Sequence, residues 1–179
     1  MLRIWGRANS SNVMKLLVLA EELGLPFERI DAGGAFGRTR EPDYLARRHA
    51  PDGGLYPADL REAADCDRWM DWQLGALNRP ATVLLFTYCR TPEAERDWPA
   101  THKARDEAER LWAMLEARLA GRPWIAGQRF TIADIALGIY VHRWFNLPHA
   151  RGEMPALRAW YERLLARPAY AKHAAGPIT

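Results

Sequence analysis

The period of the apolar pattern changes once along this chain, and that change constrains the fold more than any other feature. Before the turn-rich stretch Pro51-Asp52-Gly53-Gly54-Leu55-Tyr56-Pro57 the pattern mixes strand and helix; after it, apolar residues recur at three-to-four spacing. Leu2-Arg3-Ile4-Trp5 alternates and stops at Gly6, as a short strand does. Val13, Leu16, Leu17, Ala20 and Leu23 then form one stripe with Lys15, Glu21 and Glu22 off it, which predicts an amphipathic helix. Gly24 and Pro26 end that helix, and residues 27–31 read as a second strand. Two strands joined by one helix should pair in parallel through a right-handed crossover. A short helix is predicted around residues 42–49.

The second half reads as helices only. Leu60, Ala63, Ala64, Trp69, Met70, Leu74 and Leu77 predict one helix over residues 58–78, which Pro80 should close. Ala108, Leu111, Trp112, Leu115 and Leu119 predict another over 99–119. A third follows Phe130, a fourth covers 156–165, and a short tail ends the chain. The division falls at residue 50: an α/β portion over 1–50 and an all-α portion over 51–179.

Composition removes several functions. No apolar run approaches the roughly 20 residues of a membrane helix, and MLRIWGR lacks the apolar core of a signal peptide, so a cytoplasmic protein without membrane contact is expected. Cys66 and Cys89 show no metal or redox spacing; both read as packed side chains, and no metal is expected. The net formal charge is +3, and no basic run exceeds Arg47-Arg48, so no nucleic-acid partner is expected.

Two local signals carry chemistry. Thr131 and Asp134, in Phe130-Thr131-Ile132-Ala133-Asp134, have the spacing of a capping box that satisfies backbone N–H groups at a helix start. Its reading is structural: it starts a helix that is apolar nearly all round. The second signal is Asn9-Ser10-Ser11-Asn12, between the first strand and the first helix. Hydroxyl and amide groups there lie beside unpaired N–H groups and the positive end of a helix dipole, a place that stabilises an anion or a thiolate. Taken alone, the segment fits either a simple N-cap or a ligand site.

The order and spacing of these pieces resemble the cytosolic glutathione transferases, in a bacterial, serine-type and theta-like form. The matching segments are Ile4-Trp5-Gly6-Arg7 to Leu25-Pro26, Gly54-Leu55-Tyr56-Pro57, Arg68-Trp69-Met70-Asp71-Trp72, and Pro123-Trp124-Ile125-Ala126-Gly127 leading into the capping box. The resemblance implies a partial thioredoxin-like β-α-β-α portion followed by an all-helical domain, a homodimer, and glutathione as cosubstrate for attack on a small hydrophobic electrophile. It assigns Ser10 and Asn12 to the glutathione sulfur, with Ser11 as the close competitor. Arg7 falls to a glutathione carboxylate, with an exposed salt-bridging arginine as the alternative, and Trp69, Trp72 and Tyr140 to the electrophile pocket, where core packing is the alternative for each.

One departure from the family stands out. Its thioredoxin-like domain has a second half with a cis-proline loop, a hairpin and a third helix, whose Glu/Asp-Ser pair binds the γ-glutamyl group. This chain contains no Val-Pro, Glu-Ser or Asp-Ser. Those elements need roughly 25–35 residues, and residues 35–54 leave no room for them. Tyr44-Leu45-Ala46 fits both the family's second helix and the end of its third, and so marks the junction. The absent segment predicts weak glutathione binding, an exposed edge on the first strand, and pairing of first strands between two chains. It also raises an alternative function, a binding or interaction protein that has lost the thiol site.

Overall fold

The computed structural model describes residues 2–5, 10–30 and 54–178. Two strands, β1 (Leu2–Trp5) and β2 (Phe27–Ile30), flank the helix α1 (Ser11–Glu22). They pair in parallel with Leu2 opposite Phe27 and Trp5 opposite Ile30. Gly24 takes φ +63°, a conformation that favours glycine, and lets Leu25 N–H donate to Ala20 O at 2.9 Å as the chain turns toward β2. The helix expected over 42–49 and the Tyr44-Leu45-Ala46 junction lie outside the described residues, as does Arg7.

The helical part comprises α2 (Leu60–Trp72), α3 (Asn78–Cys89), α4 (Trp98–Leu119), α5 (Ile132–Asn146), α6 (Pro155–Leu165) and α7 (Pro168–His173). The helix expected to end by Asn78 instead runs on to Cys89, through a π-helical turn at Gln73–Leu77. A proline lacks the N–H for its turn and crowds the carbonyl four residues back. For Pro80 that carbonyl belongs to Ala76, inside the wide π turn, so the turn absorbs the conflict and the helix continues. The face that α2 buries is Ala63, Cys66 and Trp69, and it continues to Gln73. Gln73 is buried where the sequence put an apolar face, whereas Leu74 is 62% and Leu60 85% exposed, and Ala64 is exposed as well.

Helix α5 is the hub. Twelve of its residues from Ile132 to Trp144 are buried, so it has no solvent face to show a polar stripe. Trp112, Leu115 and Leu119 of α4 join its core, with Trp160 and Leu164 of α6 and Tyr170 of α7. Helix α1 is buried on two sides. Val13, Leu16, Leu17 and Ala20 cover Ile4 on the sheet, while Val18 and Leu19 enter the helical core. The second side explains why Lys15, expected off the apolar stripe, is only 6% exposed. Ion pairs hold the far end of α1 to α7: Lys172 reaches Glu21 at 2.8 Å, His173 reaches it at 2.7 Å, and Arg167 pairs with Glu22.

Candidate active site

The amino end of α1 presents Ser10, Ser11 and Asn12. Ser10 occupies the N-cap position with extended backbone (φ −77°, ψ 125°), and its carbonyl accepts the Met14 N–H at 2.8 Å. Its side chain makes no capping bond, so the simple N-cap role is not filled by the hydroxyl. No acidic residue stands in the first turn, so the helix itself supplies no counter-charge to the positive end of its dipole. Ser11 is half-buried, Asn12 exposed.

Ser11 turns toward α5. Its hydroxyl and the Gln73 amide both face the Tyr140 hydroxyl, which donates to Asn78 Oδ1 at 2.8 Å. Burial raises the Tyr140 phenol above its ordinary range, so it stays neutral and available as a hydrogen-bonding group. One turn along α1, Lys15 Nζ donates to Gln73 Oε1 at 2.9 Å and lies 5.2 Å from the Tyr140 ring centroid. Arg143 approaches the same ring at 5.9 Å. Burial, with a smaller contribution from Arg143, lowers the Lys15 ammonium from 10.5 to about 8. Burial also lowers Arg143.

Trp69 and Trp72 meet edge to face at 5.3 Å, just ahead of Gln73 in the chain. Trp69 and Tyr140 are 8% and 4% exposed and belong to the main core, and Trp72 packs against it. Thr131 and Asp134 stand apart from this group, where they close a capping box at the start of α5. The structure therefore brings Ser11 and Tyr140 together and adds Lys15, Gln73, Asn78 and Arg143. The sequence carried one cue to this addition, the four-residue step from Ser11 to Lys15 on a helix. Gln73 had another in its place four residues after Trp69 and seven after Cys66, on the face that α2 buries, but a glutamine in that pattern reads as solvent-facing.

The cysteines take no part. Cys66 is fully buried, and that burial pushes its thiol up to about 11; burial raises Cys89 too. Among the described residues, no group of His, Cys, Asp and Glu could hold a metal ion, and no helix is long and apolar enough to cross a membrane.

A parallel β-α-β opening packs on an all-helical half, and the start of its helix brings Ser11 against Tyr140 of α5. Comparison with known proteins places it more closely. The model of the glutathione S-transferase C-terminal domain matches residues 79–168. Glutathione S-transferase GstB of Escherichia coli strain K12 is 32% identical over 211 positions, an alignment covering 100% of both chains and longer than the 179 residues present here. The theta-class glutathione S-transferase of Xanthomonas axonopodis pv. citri, solved with glutathione bound, is 40% identical with a TM-score of 0.92, covering 99% of this chain and 98% of that one. Its apo form is 39% identical with a TM-score of 0.91 and covers 100% of both chains. The chain belongs to the glutathione S-transferase family.

Proposed function

We propose that this protein is a glutathione transferase, which joins the thiolate of glutathione to a small hydrophobic electrophile. The observation that carries the reading is the Ser10 hydroxyl, unspent in capping at the dipole end of a twelve-residue helix. A thiol of ordinary pKa, about 8.5, is only a few per cent ionised at neutral pH. Hydrogen bonds from a hydroxyl and from the first-turn N–H groups favour the thiolate, which then attacks an electrophilic carbon. Ser10 and Asn12 hold the sulfur in this reading, with Ser11 as competitor, and Arg7 pairs with a glutathione carboxylate. Of the three aromatics, the partly exposed Trp72 faces the electrophile, with the buried Trp69 and Tyr140 packed behind it. The protein acts in the cytoplasm as a homodimer, with residues 1–50 as the glutathione portion and 51–179 as the helical domain. Glutathione binds weakly, because two of the family's three anchoring segments have no counterpart in the sequence.

Calorimetric titration of glutathione into this chain, with Ser10→Ala and Ser11→Ala in parallel, tests the reading. The expected result is measurable heat in the parent and the Ser11 variant, and none in Ser10→Ala. Heat lost only in Ser11→Ala transfers the sulfur to Ser11. No heat from the parent overturns the transferase reading in favour of a protein that kept the fold without the thiol site.

A further inference from the structure

Lys15 and Arg143 flank one tyrosine ring inside the α1–α5 interface, and neither has a carboxylate partner among the described residues. Buried cations are normally paired, since an isolated buried charge loses its hydration without recompense. The acidic residues of α1, Glu21 and Glu22, lie at its other end and are taken by Lys172, His173 and Arg167. On the sheet side, Glu28 pairs with Arg3. From α5, Tyr140 and Arg143 face Lys15, and from the π turn only the neutral Gln73 does so. Gln73 is 1% exposed and its Nε2 faces the Tyr140 hydroxyl without completing a hydrogen bond among the described residues, so the cluster is rich in donors as well as positive. The π turn that begins at Gln73 is a rare element, frequent at functional sites.

We propose that Lys15, seconded by Arg143, is a positioning residue for the thiolate: it holds the anion electrostatically from within the interface, beside the hydroxyls at the start of α1. This rests on the glutathione reading above. Ser11 and Lys15 are four residues apart, about 6 Å along the helix axis, and both meet Tyr140. That separation is inside the screening length of about 10 Å, and the surroundings are poorly solvated, so the ammonium acts on an anion at the helix start. The proton balance is simple. The glutathione thiol releases its proton to solvent, Lys15 keeps its own, and the ion pair is lost when Lys15 deprotonates.

Activity rises as the bound thiol ionises and falls again at a pH above about 8, where Lys15 gives up its proton. A bound thiolate strengthens the hold on that proton and moves the fall upward. The test combines ultraviolet titration of the glutathione thiol bound to the protein with the pH profile of kcat/KM for a chlorodinitrobenzene at saturating glutathione. Lys15→Met should raise the thiol pKa by about one unit and lower the rate about tenfold at neutral pH. Lys15→Arg should restore the thiol pKa and remove the alkaline fall. Arg143→Met, at a half-buried position, should shift the thiol in the same direction by less, and serves if Lys15→Met does not fold. An unchanged thiol pKa in a Lys15→Met or Arg143→Met protein that still binds glutathione overturns the proposal alone, as does an alkaline fall that persists in Lys15→Arg. No glutathione heat from the parent chain overturns both readings.

Discussion

Asp134 carries more of the fold than its place in a capping box requires. Oδ2 accepts the Thr131 N–H at 2.8 Å and the Thr131 hydroxyl at 3.0 Å. Oδ1 accepts the Ile125 N–H at 3.0 Å and the Trp160 indole N–H at 2.9 Å. One fully buried carboxylate thus joins the start of α5, the turn before it and helix α6. Asp134→Ala strands four donors, and a loss of about 4 kcal/mol is expected in chemical denaturation, beyond the 1–2 kcal/mol of an ordinary cap. A loss below about 1 kcal/mol would show that water or rotation of Thr131 replaces the carboxylate. Burial pushes this carboxyl up from 3.8 to about 6, against the pull of its four donors. As pH falls through that window the folded chain takes up the proton before the unfolded one, so this group adds stability toward pH 4 and does not drive acid unfolding. The box itself was legible from two residues three apart. Its links to Ile125 and Trp160 were not, since they depend on tertiary packing.

Elements packed on two sides are where single-stripe reading fails. The stripe of α1 was readable because Val13, Leu16, Leu17 and Ala20 meet the sheet at helical spacing. The side that meets α5 contains Lys15, and a charged residue in a pattern reads as solvent-facing until a partner such as Gln73 is known. Helix α5 gives the opposite case, with a run of apolar residues that signals burial but not which residues come closest. Gly138 marks the closest approach. A Cβ there would lie 2.9 Å from Tyr170 Cε2 and 3.2 Å from Leu164 Cδ1, and the Tyr170 hydroxyl donates to Gly138 O at 2.7 Å. Both neighbours are fully buried, so neither has room to retreat. Gly138→Ala is expected to cost about 2 kcal/mol through overpacking of α5 on α6 and α7. Gly75→Ala, in the π turn with nothing within 4 Å of the new Cβ, should cost nothing. Equal thermal shifts for the two variants would refute this account of the α5 contact.

At the scale of the molecule, the sheet is the part that the sequence marked as incomplete. Among the described residues it consists of β1 and β2 alone, and a pair of short parallel strands is marginal unless something covers its edge. Leu2 N–H donates to Pro26 O at 3.1 Å, so the N–H groups of Leu2 and Ile4 point toward β2 and those of Arg3 and Trp5 point outward. An outward edge of this kind can be completed by a second copy, β1 against β1 in antiparallel register across a two-fold axis. Arg3 allows a clean test, because its side chain is exposed and its N–H faces away from β2. Arg3→Pro removes one outward donor and leaves the β1–β2 bonds in place. Light scattering should find the parent chain and Arg3→Ala dimeric and Arg3→Pro monomeric at the same concentration. A monomeric parent, or a dimer that survives Arg3→Pro, would place any self-association elsewhere than on this strand.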